Sequence, residues 1–545
     1  MRIGPTLARF KIGPAVAALL LYLVLIQPNH PGAMTWGALR VFPLELPAIL
    51  LVLIAVGDGR WGRVLRGVLT FLLTLIVVLK AADLVSFNAL SRGFNPVADL
   101  MLVDAFVRLL AGSVGTVLAA LAVVGAVLAM AGIAALLWWA MGQWARLALP
   151  RPRMLVRAAL LASALVVVEV GHVMGQWHLP FNPPGTAFTA RVGVERIATV
   201  QRTLAELRRF RAQVLEDRFA GATGLMDRID RDVLVIFIES YGRSSFDTPL
   251  HAQVHLATLA RYEAQLGGLG LSMHSGFLGA PTRGGQSWLS HATVSNGLWI
   301  NNQISYGAAL ASGRQTLFHH AANSGFRTAA VMPQITLDWP EAARMGFEDV
   351  LPAADLGYQG LPFNWVTMPD QFTLAALDRL VRTGGDGRRN FVQVVLSSSH
   401  APWVPVPQMV RWEDVGDGQI FNEMASAGDP PDVVWRDRDR VRAQYRLAID
   451  YSLSAVMEYA VLHADDPPLM IVIGDHQAAE FVALDGRADV PIHVIGPADL
   501  TAALSQLAPS PGLVPQGDTP VIPMNALRDI VLEAYSTLPP GAVRP

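Results

Sequence analysis

The sequence predicts an α/β chain in two parts: an N-terminal bundle of membrane-crossing helices, then a domain built on a mainly parallel sheet. Three observations predict it. Apolar residues crowd the first 180 positions and lift the mean hydropathy of the 545 residues to +0.37. Beyond residue 229, short apolar runs alternate with helical patterns, as strands joined by helical crossovers do. Several of those runs end abruptly in a carboxylate or an imidazole. Ligands bind beyond the carboxyl ends of parallel strands, so chemistry is expected at those endings.

The first part, residues 1–178, holds five apolar stretches, at 10–27, 39–57, 64–87, 113–141 and 154–176. Each is long enough, or nearly so, to cross a hydrocarbon layer of about 30 Å. Cations alternate between the loops. Arg2, Arg9 and Lys11 precede the first stretch, Arg60, Arg63 and Arg66 follow the second, and Arg146, Arg151, Arg153 and Arg157 follow the fourth. The intervening loops hold fewer, with Arg92 and Arg108 in the longer one. The positive-inside rule then puts the N-terminus in the cytoplasm and everything after the fifth stretch outside a cytoplasmic (inner) membrane.

Residues 179–228 read as a juxtamembrane linker. A Pro/Gly-rich loop, PFNPPGTAF, leads into ERIATVQRTLAELRRFRAQVLEDRF, an amphipathic helix whose Arg-rich face suits anionic headgroups or water equally. A net charge of −2 argues against nucleic acid as a partner. The absence of cysteine excludes disulfides, thiolate catalysis and cysteine-bound metals.

In the second part, residues 229–545, strands are expected at 232–238, 328–332, 391–396, 470–474 and 492–496. Helices are expected near 255–267, 287–296, 315–324, 370–383, 438–463 and 524–536. The first strand ends in Glu239, the third is followed by SSSHAPW with His400, and the fourth by Asp475-His476. Oxygen ligands with one imidazole suit Mn²⁺, Mg²⁺ or Zn²⁺. Glu239 therefore meets either a divalent cation or a nearby arginine such as Arg243. A hydroxyl is offered by GAPTRGGQSWLSHATVSNG, where a glycine turn leads into a helix beginning at Ser287. Serine after glycines is also the ordinary N-cap pattern, so Ser287 is either a cap or a nucleophile at a helix N-terminus.

FIES, a hydroxyl after a glycine turn, SSSHAPW and IGDH, in this order behind five apolar stretches, resemble the lipoteichoic acid synthase-like phosphoglycerol transferases. These belong to the alkaline phosphatase/sulfatase superfamily and are similar in plan to the lipid A phosphoethanolamine transferases. The resemblance implies an alkaline phosphatase/sulfatase-like domain outside the membrane, with one divalent metal ion held by Glu239, Ser287, Asp475 and His476. It implies Ser287 as nucleophile in the place of the family's threonine, and His400 facing the transferred phosphate or its leaving group. Arg283 would add an anion contact, and Trp339 stands for the family's substrate-site tryptophan. The arginine that follows that tryptophan by two residues is replaced by Glu341.

The activity implied is movement of a phosphoglycerol- or phosphoethanolamine-type headgroup from a phospholipid donor to an envelope glycan or lipid acceptor, through a covalent Ser287 intermediate. The alternative is a membrane-anchored phosphodiesterase or sulfatase-like hydrolase, in which water resolves the same intermediate. A formylglycine sulfatase is excluded within the reading. GAPTR places Pro281 and Arg283 in register with that modification motif, but Gly279 stands where a side chain must be oxidised.

Overall fold

A computed structural model describes residues 12–537 apart from 91, 101, 104–105, 108–109, 112–114, 148–151, 182, 337–338 and 384–385. Arg2, Arg9, Lys11, Arg108 and Arg151, used above for orientation, lie outside the described residues. The chain divides into two compact units, Met1–Glu206 and Leu207–Pro545.

The first unit is helical. The five apolar stretches appear as α1 (Ile12–Ile26), α2 (Glu45–Val56), α3 (Arg60–Leu90), α4 (Thr116–Ala145) and α5 (Pro152–Val173). Three of them, α3, α4 and α5, are long and apolar enough to cross a membrane, whereas α1 and α2 are shorter apolar helices. The α2 stretch is shortened because Trp36–Arg40 forms a separate 3-10 turn and Pro43 joins a bridge to Thr186. Only 6% of the most apolar window of α4 is buried. Rows of Leu and Val exposed in this way call for surroundings other than water. The small core sets Ala17, Leu21 and Leu25 of α1 against Leu137, Ala140 and Met141 of α4.

Helix α6 (Phe188–Leu215) follows, and its first half is bound into this unit by polar contacts. Lys80 Nζ donates to Thr189 Oγ1 at 2.8 Å, and Ala190 N donates to Glu45 Oε1 at 2.9 Å. Arg196 pairs with Asp83, whose carboxylate also accepts from Asn29 and from the Phe94 amide. The segment expected to link the two parts is thus mostly one helix.

The second unit is a mixed α/β domain with a mostly parallel sheet. Its strands are β1 (Val233–Ile238), β2 (Ser272–Gly279), β3 (Arg327–Met332), β4 (Asp349–Pro352), β5 (Asn390–Leu396), β6 (Leu469–Gly474), β7 (Asp489–Gly496), β8 (Ser510–Pro511) and β9 (Val521–Pro523). The order is β4-β3-β5-β1-β6-β7-β2-β8, with β9 beside β2. Its longer helices are α7 (Pro249–Gly268), α8 (Ser287–Asn296), α9 (Gln303–Ala311), α10 (Leu317–Asn323), α11 (Asp370–Leu377), α12 (Arg438–Leu462) and α13 (Leu527–Ala534).

The central strands read as unbroken apolar runs because both faces of the sheet are covered. Val233, Val235 and Phe237 of β1 enter one core; Leu234, Ile236 and Ile238 enter the other. All five strands expected from the sequence form. Strand β7 runs antiparallel to β6, and β2 antiparallel to β7, so the double reversal returns β2 to the direction of β1.

The sequence reading passed over β2, SMHSGFLG, because its small and polar residues carry little apolar signal. Packing supplies the reason for them: a Cβ at Gly276 would stand 2.5 Å from the Leu507 carbonyl oxygen. Strand β4 was passed over too, as a four-residue edge strand.

The end of β6 is equally tight. A Cβ on Gly474 would lie 1.8 Å from the Tyr241 carbonyl oxygen, whereas a Cβ on Gly517 would meet nothing within 4 Å. We expect Gly474→Ala to destabilise the protein by about 1–3 kcal/mol or more, as overpacking does. Gly517→Ala should leave the thermal midpoint of the full chain in detergent essentially unchanged. Equal midpoints for the two variants would contradict the packing described.

Candidate metal centre and nucleophile

The register of three strands creates the site. Ile238 pairs with Leu396 of β5 on one side and with Gly474 of β6 on the other. The residues that follow, Glu239, Ser397 and Asp475, therefore emerge side by side at one edge of the sheet. Strand β2 runs the same way, so its chain also leaves at this edge and reaches α8 eight residues later. The loop that leads into α8 docks there by its backbone: Gly284 N donates to Gln477 O at 2.8 Å, and Arg283 bridges to Gln477.

Glu239, Asp475 and His476 are buried, and one ligand atom from each lies within 4.8 Å of the others. His476 Nε2 stands 3.0 Å from Glu239 Oε1 and 3.9 Å from Asp475 Oδ1. Ser287 Oγ donates to Glu239 Oε2 at 2.8 Å. The structure thus brings four of the sequence-expected residues together. The Ser287 hydroxyl does not cap α8; Gln286 occupies the N-cap, with φ of 68°. The arginine alternative for Glu239 is not what the structure shows, since Arg243 pairs with Asp247 at 2.8 Å and lies over the Phe277 ring.

Hydrogen bonds orient each group. His476 Nδ1–H donates to Gln477 O at 3.1 Å, which turns Nε2 towards the carboxylates. Asp475 Oδ1 accepts from the amides of Ser240 at 2.8 Å and His476 at 2.6 Å. Asp475 Oδ2 is buried without a hydrogen-bond partner, and His476 Nε2 faces only carboxylate oxygen, with Glu239 Oε1 3.0 Å away. Buried polar atoms seldom go unpartnered, and here the orphan is a carboxylate oxygen converging with a second carboxylate and an imidazole. Ligand atoms about 3 Å apart form the edge of a coordination shell with bonds of roughly 2.0–2.2 Å. The donor set therefore fits a divalent cation.

The electrostatics point the same way. Burial, then the Glu239 carboxylate, pushes Asp475 well above the usual carboxylate range. Glu239 is held well below it: burial opposes, but His476, and further off His400, prevail. Burial alone would lower the His476 imidazole, yet Asp475 and Glu239 outweigh it and raise it to about 9. Two carboxylates this close in a dry place share protons with the imidazole rather than both standing bare.

The other expected residues are placed differently. His400 lies on the turn after β5 and is close enough to Glu239 to act on its charge. Its Nδ1–H donates to Ala401 O at 2.5 Å, so Nε2 is the nitrogen left for other work. The Arg283 guanidinium donates to the Gly486 carbonyl and lies 3.6 Å from Glu480. Trp339 packs on the core beside Phe347, with ring centroids 6.1 Å apart.

Several residues of the site left no signal in the sequence reading. Ser240 takes φ of 58°, turning the chain sharply after Glu239. Ser399 Oγ donates to the Glu239 carbonyl at 2.6 Å, and Tyr445 OH to the Ser240 carbonyl at 3.0 Å. His291 lies one turn beyond Ser287, its ring 4.3 Å from that of Phe237 and its Nε2 buried without a partner. The spacing of four from Ser287 along a helix was the available signal for His291.

The chain matches no protein-family model and no curated protein. Among solved structures it is similar to the lipoteichoic acid synthase LtaP from Listeria monocytogenes, at 13% identity over 60% of this chain and 81% of that one, with a TM-score of 0.33. It is similar to the Streptococcus pyogenes phosphoglycerol transferase GacH, solved with sn-glycerol-1-phosphate, at 12% identity over 61% and 92% of the two chains, with a TM-score of 0.36. The C-terminal periplasmic domain of the phosphoethanolamine transferase EptC from Campylobacter jejuni gives 10% identity over 58% and 92%, with a TM-score of 0.38.

Metal binding at this site must displace the protons described above. Below about 9 the metal-free His476 is protonated, so the cation competes with H⁺. Apparent Mn²⁺ affinity, measured by calorimetric titration of the purified chain, should rise by at least about tenfold per pH unit from pH 6 towards 9, then flatten. Affinity that does not change with pH would contradict this protonation scheme.

Proposed function

We propose that the chain is a metal-dependent, membrane-anchored transferase that moves a phospho-headgroup, of phosphoglycerol or phosphoethanolamine type, from a phospholipid donor to an envelope glycan or lipid acceptor. The observation that carries this reading is the Ser287 hydroxyl, 2.8 Å from Glu239 at the start of a helix and beside the Asp475–His476 pair. Glu239, Ser287, Asp475 and His476 would hold one Mn²⁺, Mg²⁺ or Zn²⁺ ion. When bound, such an ion acidifies a hydroxyl and neutralises phosphate charge.

The chain's own residues account for the rest. Glu239 Oε2 accepts the Ser287 hydrogen bond, which aims the Oγ lone pairs away from the carboxylate. Ser287 opens α8, where the positive end of the helix dipole favours the negative charge of a phosphate. The Ser287 Oγ–P bond forms as the hydroxyl proton passes to Glu239 Oε2 and the P–O bond to diacylglycerol breaks. His400, with Nδ1 tied to Ala401, has Nε2 free to pass a proton to the departing alkoxide. An acceptor hydroxyl or amine then attacks the same phosphorus and releases Ser287. Competing hydroxyls are poorly placed: Thr282 and Ser290 are buried and face each other at 3.5 Å.

The test is reconstitution of the full chain in vesicles containing headgroup-labelled phospholipid and a metal ion. Diacylglycerol release and label on Ser287 are expected. Ser287→Ala should lower turnover by several orders of magnitude with insertion and folding intact, because nucleophile and metal act as a unit. Thr282→Ala and Ser290→Ala should retain substantial activity. A Ser287→Ala chain turning over at near wild-type rate would refute the covalent route. Label accumulating in solution rather than on an acceptor would identify the hydrolase.

The same reading places residues 229–545 on the periplasmic or extracellular side of the cytoplasmic membrane. A C-terminal phosphatase reporter that folds only after export should be active. A C-terminal reporter active only in the cytoplasm would reverse that orientation.

A further inference from the structure

Asp370, the first residue of α11, is completely buried and has no direct part in the steps above. Its Oδ1 accepts from two successive amides, Ser397 N and Ser398 N, each at 2.8 Å. Its Oδ2 accepts from Ser452 Oγ of α12 at 2.6 Å. The Asp370 amide in turn donates to Ser398 Oγ at 2.9 Å. A carboxylate taken out of water in this way is costly, and two adjacent N–H groups aimed at one oxygen are the geometry that compensates it.

What those amides belong to gives the arrangement its meaning. Ser397 and Ser398 begin the turn between β5 and His400. Within that turn His400 N donates to Ser397 O at 2.9 Å, and Trp403 Nε1 donates to Ser399 O at 2.7 Å. The next residue, Ser399, donates its hydroxyl to the Glu239 carbonyl at 2.6 Å. One carboxylate therefore anchors the start of a turn that carries His400 and grips the backbone of Glu239. Helix α12 supports both sides, through Ser452 to Asp370 and through Tyr445 to the Ser240 carbonyl.

We propose that Asp370 is a positioning residue of the centre: it sets the β5–His400 turn and with it the place of His400. The inference rests on the transferase reading of the site. It differs from a role in stability alone, because a residue that acts through His400 loses its effect once His400 is gone.

A double-mutant cycle on the full chain reads that difference, with headgroup-labelled phospholipid in vesicles and Mn²⁺ as probe, because its alkoxide leaving group needs the proton that His400 would supply. Asp370→Ala should lower kcat by about 10²-fold, the cost of a small misplacement of reacting groups, with much less change in KM. The double variant Asp370→Ala/His400→Ala should fall within about twofold of His400→Ala alone. Asp370→Asn keeps an oxygen for the two amides and should restore most of the turnover. If Asp370→Ala does not fold, Ser452→Ala takes its place in the cycle. That variant removes a single bond to the carboxylate and should lower kcat by roughly 3–10-fold, again without adding to His400→Ala.

Losses that multiply fully in the cycle, or a near wild-type kcat for folded Asp370→Ala, would overturn the assignment while leaving the transferase reading in place. A wild-type chain without any phosphodiester turnover would overturn both.

Discussion

Two carboxylates held close together out of water are the constraint on which this site depends. Glu239 and Asp475 leave neighbouring strands at the same level, and the ladder between β1 and β6 prevents them from moving apart. Neither can be hydrated, so their charge must be met by protons or by a cation. Without a cation, His476 carries a proton to a pH of about 9 and Asp475 is pushed towards its neutral form. The arrangement is strained electrostatically in a way that a divalent ion relieves.

The surrounding structure holds that arrangement in place. The left-handed turn at Ser240 directs its amide at Asp475 Oδ1, so the backbone of β1 helps fix the side chain of the next strand. Gln477 accepts from His476 Nδ1 and from the Gly284 amide with the same carbonyl oxygen. That one carbonyl links the imidazole's orientation to the position of the loop that leads into α8. Gln477 also fills the space that a side chain at Gly242 would take: a Cβ there would lie 1.8 Å from its Oε1. Buried polar networks of this kind specify one geometry because each member satisfies another.

The sheet's topology decides that the hydroxyl arrives at all. Were β2 joined to β6 directly as an antiparallel neighbour, its chain would leave at the opposite edge. The insertion of β7 between them reverses the direction twice, and α8 begins at the edge where Glu239 waits. Gln286, not Ser287, then takes the cap position, and the serine hydroxyl is left to donate to Glu239. Local chemistry alone favoured a cap for Ser287; its hydroxyl donates instead to a carboxylate 48 residues away in sequence.

Strands buried on both faces are legible in a sequence, because they must be apolar at every position, and so β1, β3, β5, β6 and β7 could be read from it. The carboxylates and imidazoles at their ends were legible for a related reason: a charge directly after a buried run has few ways to be tolerated. The long apolar helices were legible from composition, although a proline and a 3-10 turn shortened α2 in a way that hydropathy does not register. Strand β2 was not legible, since its small residues answer to the Leu507 backbone rather than to any periodicity. Nor were Ser240, Ser399, Tyr445, Gln477 and Asp370, whose roles are hydrogen bonds to residues between one and a few hundred positions away. Nor were the contacts of Arg283, expected as an anion contact, with the Gly486 carbonyl and Glu480. The sequence by itself determined which groups had to find partners, because burial of charge is a local cost written in residue type. Only the tertiary structure decided which partners they found, because strand register and the direction of each crossover depend on contacts that no local pattern encodes.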